Sequence, residues 1–401
     1  MTDKGDDGEI LVAGGGIGGL SCAIALARRG GKVHVFERAA SFEEAGAGIQ
    51  LGPNASRILK RWGVWQALEH DLVLPEALHI HDGLSGARLA SVPLGQLEAR
   101  HGAPYGVVHR AHLQRALLEK ARALPGVTIT TGFEVTGAEE HGARVVLAGR
   151  GGANLKNQTK EGAGLIGADG VHSRLREALK LAPRPRFSGK TAWRALLPAE
   201  ARPSSFGAAD VGLWLGPRAH LVHYPVAGGG QLNVVAVIDE DRHEEGWNAP
   251  GRAGELTAHY VDWAEPARSL VGAPETWRKW ALAELEPLAA WGTERIMLLG
   301  DAAHPMLPFL AQGGAMAIED ASLLAQALET SSGDIEHAFA QLFEAHHERT
   351  RRLQARSKRM GQIYHLGGVA ALARNWVLKA RSAESFLADL DWLYGARIGE
   401  D

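Results

Sequence analysis

Gly14, Gly16 and Gly19 stand in the G-x-G-x-x-G spacing, and Glu37 ends the apolar stretch that follows them, with Arg38 next in line. Glycines so placed let a dinucleotide pyrophosphate approach the backbone, and an acid at that point is positioned for a ribose hydroxyl. Two further strings set an aspartate beside a turn: GADGVHSRLR at residues 167–176, with Asp169, and GDAAHP at residues 300–305, with Asp301. Taken alone, each also reads as a turn with a helix cap. HLVHYP at residues 220–225 places His220 and Tyr224 four residues apart. Imidazole titrates where a general base is useful. Without more context both histidines of that string also read as cross-strand or core residues.

These groups need elements to hold them. Apolar runs at residues 10–13 and 33–36 read as short buried strands around a helix at 20–29, which makes a βαβ unit. The helix N-terminus brings free N–H groups and positive potential to a phosphate. Residues 110–124, headed by Arg110 and stopped by Pro125-Gly126, read as an amphipathic helix. Residues 191–197, 211–215, 220–225 and 231–239 read as strands, forming a strand-rich insert. Alternation puts His220, Val222 and Tyr224 on one face and His223 on the other. Residues 296–299 form another buried strand, and from Gly313 the chain reads as helical to its end. The polar, Gly-rich segment 149–164 reads as an exposed hairpin loop between strands 143–147 and 164–167.

The chain has 401 residues, long enough for a large α/β enzyme of more than one domain. Its net charge of −3 shows no basic excess, which argues against nucleic acid and an anionic membrane as partners. No apolar run reaches spanning length, so no stable membrane insertion is expected. The run Arg349, Arg351, Arg352, Arg356, Lys358, Arg359 reads as the solvated face of a helix. One cysteine, Cys22, excludes an internal disulfide and suits a reducing compartment; its place in the first helix favours burial as a small apolar residue. Residues 1–9 are polar, with no secretory signal, so the expected location is cytoplasmic. No metal site is expected.

In this order and at these separations, the three motifs resemble those of the group A flavoprotein aromatic monooxygenases, with the para-hydroxybenzoate hydroxylase-like fold, over roughly residues 10–365. The resemblance implies an α/β fold: a Rossmann-like FAD-binding domain, an inserted strand-rich substrate domain and a helical C-terminal part. The boundaries drawn on that basis are 1–75, 100–180 and 275–345 for the FAD part, 76–99 and 181–274 for the substrate part, and 346–401 for the C-terminal helices. It implies FAD as cofactor. Gly14, Gly16, Gly19, Glu37 and Arg38 would take the ADP half, and Asp301 the ribityl chain and pyrophosphate. Asp169 carries the motif associated with FAD and NAD(P)H. Gln50, Arg110, Gly313 and Gly314 complete the expected flavin contacts. The helix opened by Gly313-Gly314 would lend its positive end to the flavin's pyrimidine ring. NADH or NADPH would act as a transient co-substrate, since no second G-x-G-x-x-G is present.

GAGIQLGPNA at residues 46–55 and the string from Gly300 to Asp320 resemble the branch that holds salicylate hydroxylase, 3-hydroxybenzoate 6-hydroxylase and 6-hydroxynicotinate 3-monooxygenase. This implies hydroxylation of a small aromatic acid, hydroxybenzoate- or hydroxynicotinate-like, with NAD(P)H and O2 through a C4a-hydroperoxyflavin. A larger aromatic substrate such as a quinolone, antibiotic or polyketide is the alternative that the fold supports. A homodimer is compatible with the resemblance. His220 and Tyr224 would be the catalytic pair, and Tyr105, Pro305, Phe309 and Trp193 would line the substrate pocket. Arg194 reads either as a partner for a substrate carboxylate or as a solvent-facing residue. His304 reads as structural or flavin-proximal, not as a base. The chain departs from its relatives at Met306-Leu307-Pro308-Phe309, where the nicotinate enzymes have Met-Lys-Pro-His and the hydroxybenzoate enzymes tend to a glutamine near Pro308. Phe309 implies a more apolar wall.

Overall fold

A computed structural model describes residues 8–42, 47–151, 156–207, 209, 211–241 and 249–399. The first strand, Ile10–Ala13, is apolar and fully buried, and Gly14 leaves it at φ +106°. The helix Ile17–Ala27 begins earlier than the apolar pattern alone suggests, because Gly16 in extended backbone is its N-cap. Strands Ile296–Leu298, Gly164–Gly167, Ile10–Ala13, Val33–Glu37 and Val127–Thr131 lie side by side in that order as a parallel sheet. The turns after Ala13, Gly167 and Leu298 therefore leave three neighbouring strands at their carboxyl ends, where open α/β sheets bind ligands. The helix Gly313–Thr330 packs on Ile17–Ala27 and closes the face behind those turns.

A second sheet has eight strands in the order Ala249–Gly251, Trp277–Glu284, Arg186–Pro198, Gln231–Asp239, Ala219–Val226, Val211–Gly216, Leu78–Asp82 and Arg88–Val92. Side chains alternate between its faces. One face carries Trp193, Ala195, Trp214, Leu221, Leu232, Val234 and Ala236, packed under helices Ala253–Ala258 and Glu265–Gly272. The other carries Arg194, Val235 and Val222 in one cross-strand row, Asn233 and Tyr224 in the next, and Val237 and His220 in a third. A ribbon of Gly48–Leu51 and Gly106–His109 meets this second face. The helices Ile335–Tyr364, Gly368–Ala380 and Ala383–Tyr394 complete the chain. Among the described residues no helix is long and apolar enough to cross a membrane.

Several expectations need correction. Segment 149–164 is mostly strand: Arg144–Gly151 pairs with Lys156–Gly162 in a three-stranded sheet, and 152–155 lies outside the described residues. The boundary at 275 assigns strand Trp277–Glu284 to the FAD part, yet it pairs with Arg186–Pro198 in the insert's sheet. The boundary at 346 cuts the continuous helix Ile335–Tyr364. The arginine run is not wholly solvated. Arg352 and Arg356 sit over the Trp392 ring at 4.0 and 5.0 Å, and Arg349 is bound into the interior. Trp193 does not line the pocket. Strand alternation turns it to the rear face, where its ring meets Gly251 and lies under the Lys279 ammonium at 4.5 Å.

Trp193 is 1% exposed. Trp193→Ala is therefore expected to cost about 3–5 kcal/mol of stability, as large aromatic truncations in a core do. Its urea unfolding midpoint should fall clearly below wild type, while substrate affinity measured well below the transition stays unchanged.

Candidate functional site

Three glycines shape the first turn for three different reasons. A Cβ on Gly14 would stand 2.4 Å from the Ala168 carbonyl oxygen, so only glycine lets the turn lie against the second motif. A Cβ on Gly19 would meet the Gly14 carbonyl oxygen at 1.9 Å, so the helix needs a bare backbone there. A Cβ on Gly16 would meet nothing within 4 Å. Its bareness serves no contact within the protein, and it leaves room for a phosphate at the N-terminus of Ile17–Ala27. Glu37 accepts the Gly15 N–H at 2.7 Å and the Ala39 N–H at 2.8 Å, which ties the strand end to the glycine turn. Arg38 is exposed beside it. Gly46, from the string at 46–55, lies outside the described residues.

Asp301 sits on the turn after Ile296–Leu298, and a Cβ on Gly313 would come within 3.5 Å of its Oδ1. The N-terminus of the 18-residue helix Gly313–Thr330 thus abuts Asp301, with no side-chain cap on its first turn. Arg110 heads the helix Arg110–Arg122 and is exposed, and its charge pulls on Asp301. Asp301 reaches solvent through the cleft but is walled by protein, so burial pushes its carboxyl up against the pull of His304 and Arg110. Neither Asp301 nor the Arg110 guanidinium has a hydrogen-bond partner among the described residues. A free carboxylate, a free guanidinium and an uncapped helix end, facing an open glycine turn, suit the hydroxyls and phosphates of a dinucleotide cofactor. Gly314 packs close to Ile49. Asp169 caps the next helix through Oδ2, which accepts the N–H groups of Arg174 and Leu175 at 2.8 and 3.2 Å, while its buried Oδ1 has no partner among the described residues.

Behind the turn lies a buried charge network that the sequence reading missed. Asp320 is fully buried and accepts the Gly300 N–H at 2.8 Å. His304 lies 2.7 Å from its Oδ2, and His346 lies 2.6 Å from its Oδ1. The other His346 nitrogen is 2.8 Å from Glu319. Two carboxylates, one at each ring nitrogen, require a proton on both, so His346 is an imidazolium. Although burial opposes the charge, the bonds to Asp320 and Glu319 raise its pKa to about 9. Arg349 forks onto Glu319 at 2.8 and 2.9 Å and donates to the carbonyls of Trp392 and Leu393. Asn54 joins Glu319 to Gln312, the residue before the helix. A signal for this network was present: two adjacent acids inside an otherwise apolar helix. Cys22 is buried in the first helix, its thiol pushed up to about 12.

Across the cleft, the second sheet presents Arg194, Tyr224 and His220 on one face. Tyr224 lies against Gly48, where a Cβ would stand 2.3 Å from its ring. Gln50 accepts the Tyr105 hydroxyl and hydrogen-bonds Tyr224, so it spans the two rings. Burial holds the Tyr224 phenol up, against the pull of Arg194. Arg194 stacks on Trp280 at 5.0 Å, and its buried Nε has no partner. Among the described residues no carboxylate pairs with it. Phe309 is buried, with its ring 5.4 Å from that of His220. Pro305 is buried, its carbonyl held by Gln354 at 2.9 Å. Burial, followed by His365 and Lys190, drives the His220 pKa well below its ordinary value. His223 points to the other face, against Phe206 at 4.7 Å.

A family model described as "FAD binding domain" matches residues 7–359, and the chain belongs to that family. The chain is 37% identical over 400 residues to 3-hydroxybenzoate 6-hydroxylase of Polaromonas naphthalenivorans, covering 100% of this chain and 98% of that protein. It is 40% identical over 391 residues to a 3-amino-4-hydroxybenzoate 2-monooxygenase of Streptomyces platensis, covering 96% of each. Among solved structures, Klebsiella pneumoniae HpxO complexed with FAD and uric acid superposes with a TM-score of 0.82 at 26% identity, over 95% of each chain. FAD is the cofactor of this chain.

Gly16→Val should lower the stability of the apoprotein by no more than about 1 kcal/mol, the cost of a poorer N-cap, because nothing in the protein meets the new side chain. It should weaken FAD binding at least roughly tenfold, a loss of about 1.4 kcal/mol; fluorescence titration of apoprotein with FAD measures it. His346 yields the second expectation. Its folded-state pKa of about 9 lies above the ordinary 6.5, so its charge stabilises the fold fully below pH 6.5 and ceases to do so as pH rises through 9. Wild type should exceed His346→Gln by on the order of 3 kcal/mol near pH 6. In urea unfolding from pH 6 to 10 that gap should shrink; a constant gap would mean a neutral His346.

Proposed function

We propose that this FAD protein is a single-component monooxygenase that hydroxylates the ring of a hydroxylated benzoate, using NADH or NADPH as reductant. The overall change balances as ring C–H plus O2, NAD(P)H and a proton giving ring C–OH, water and NAD(P)+. Bound FAD supplies the redox chemistry, taking hydride from the nicotinamide and passing reducing equivalents to O2.

The observation that carries the reading is Arg194. A guanidinium in the cleft wall, with a buried Nε that bonds to nothing and no carboxylate partner among the described residues, is matched by an anionic ligand. His220 stands on the same face, two strands away and two residues along. Sheet spacing puts the two Cα atoms about 12 Å apart. An arginine, a histidine and one aromatic ring fill such a gap, with the carboxylate on Arg194 and the ring hydroxyl at His220. Val222 faces Arg194 across Val235 in the same row, Tyr224 stands one row beyond on the side away from His220, and Phe309 gives the wall an apolar surface. That wall favours a benzene ring over a pyridine, whose nitrogen would lose its hydrogen bond there. The kinship with enzymes named for 3-hydroxybenzoate and 3-amino-4-hydroxybenzoate supports the same substrate class.

The test is a panel of 3-hydroxybenzoate, 3-amino-4-hydroxybenzoate, 6-hydroxynicotinate and larger phenols, scored for stimulated NADH and NADPH oxidation and for hydroxylated product. A hydroxybenzoate should give product close to one per nicotinamide oxidised. Arg194→Leu should raise KM for that acid roughly 10–100-fold, the worth of a charged hydrogen bond, and should leave turnover of the matching amide unchanged. Equal losses on acid and amide would remove Arg194 as the carboxylate anchor. Product only from the larger phenols would replace the substrate class.

A further inference from the structure

His220 is the inner end of a chain of hydrogen bonds that leads out of the cleft. Its Nδ1 lies 2.7 Å from His365 Nε2, and both rings are buried. His365 Nδ1 lies 2.6 Å from Asp239 Oδ1. Asp239 ends its strand, its side chain 27% exposed, and it also accepts from the Lys190 ammonium. The three residues come from two adjacent strands and the segment after the longest helix.

The carboxylate at the outer end fixes the protons along the whole chain. At 2.6 Å from a carboxylate oxygen, His365 Nδ1 must carry a hydrogen, since two lone pairs at that distance repel. Burial lowers the His365 pKa, with the Lys190 and Arg374 charges adding to it, so the ring is neutral and its Nε2 is a lone pair. His220 Nδ1 must then donate to that lone pair. Its Nε2 is left as a lone pair, with no hydrogen-bond partner among the described residues, on the face shared with Tyr224 and Arg194. The charged groups around His365 are Asp239, Lys190 at 3.1 Å from Nδ1, and Arg374, which is itself 3.9 Å from Asp82. Tyr364 and Phe309 flank the His220 ring, and Tyr260 donates to its carbonyl.

We infer that His220, His365 and Asp239 form a proton relay that carries the ring-hydroxyl proton of the bound substrate to solvent at the outer end of the sheet. The inference rests on a hydroxylated benzoate placing its hydroxyl at His220. The substrate O–H bond breaks as an N–H bond forms at His220 Nε2. The Nδ1 proton of His220 passes to His365 Nε2, and the Nδ1 proton of His365 passes to Asp239 Oδ1. Water takes it from there, so one proton leaves the pocket and no electron moves. Despite burial, the bonds from His365 and Lys190 hold the Asp239 carboxyl below its ordinary range, so it hands the proton on. A phenolate left without this exit would share the pocket with an added proton and lose its ring activation.

Two readouts test the relay. In holoenzyme labelled with 15N-histidine, with His220→Gln and His365→Gln assigning the signals, both rings should be Nδ1–H tautomers. Asp239→Asn should release His365 from that tautomer. An Nε2–H tautomer at His220 overturns the relay, because no lone pair would face the substrate. With 3-hydroxybenzoate, His365→Gln should keep FAD content and substrate affinity but lower product formation roughly 10²-fold near neutral pH. Activity should recover toward wild type as the pH nears that of a free phenol, about 10, and Asp239→Glu should retain most of it. Product formation lost in His220→Gln but intact, with an unshifted pH profile, in His365→Gln and Asp239→Asn overturns the relay and leaves the hydroxylase reading standing. No product from any hydroxybenzoate in wild type removes that reading, and the tautomers then decide the relay by themselves.

Discussion

One buried carboxylate organises the flavin side of the molecule. Asp320 ties together two distant pieces of chain: the 300–304 turn, through the Gly300 N–H and the His304 ring, and the long helix through His346. Removing a carboxylate from water is tolerable only where every lone pair finds a donor. The turn that presents Asp301 is therefore pinned by its own Gly300 N–H, and the helix that points its N-terminus at Asp301 is the helix that carries Asp320. Glu319, the next residue toward that N-terminus, extends the bond set through Arg349 to the carbonyls of Trp392 and Leu393. The last helix and the residues that follow it are held by Arg349, Arg57 and Arg61 bonding backbone carbonyls, and by arginines stacked on Trp392. Its Tyr394 ring closes over Gly52 and meets Tyr105. The floor of the cofactor site and the C-terminal cover are thus parts of one electrostatic structure.

The substrate side rests on the two-residue period of a strand. Because successive side chains alternate, Arg186–Pro198 sends Arg194 to the cleft and Trp193 to the rear core, and Ala219–Val226 sends His220 and Tyr224 forward and His223 back. The rear face is filled by tryptophans and two short helices, which fixes the sheet. The front face can then afford polar groups whose partners are incomplete, Arg194 Nε and Asn233 Nδ2 among them.

What could be read from the chain alone follows the range of the forces involved. The glycine turn and Glu37 were legible because their demands are local: a φ of +106° at Gly14, a carbonyl against Gly19, a strand end at 37. The facing of His220 and Tyr224 was legible because period two is local as well. Trp193 was misplaced for want of the same rule, since Arg194 and Trp193 are neighbours and only one of them can face the cleft. The arginine run was misread because a charged helix face looks solvated until its partners are known, and Trp392 and Glu319 are far away in the chain. His365 leaves no trace in its surroundings; it meets His220 across 145 positions and Asp239 across 126.

The two buried histidine systems behave oppositely for one physical reason. His346 lies between two carboxylates, so its second proton is bound tightly and the ring is a fixed cation. His220 lies against another imidazole and near the Lys190 ammonium, so a second proton on it is costly and the ring stays neutral. A ring that keeps both protons can only hold a structure in place. A neutral ring with one N–H and one lone pair can accept a proton on one side while giving one up on the other. The carboxylates that surround His346 would have trapped any proton arriving at the substrate pocket. Keeping them behind the flavin turn, and leaving a single carboxylate at the outer end of the His220 chain, separates the part of the protein that must hold still from the part that must pass protons.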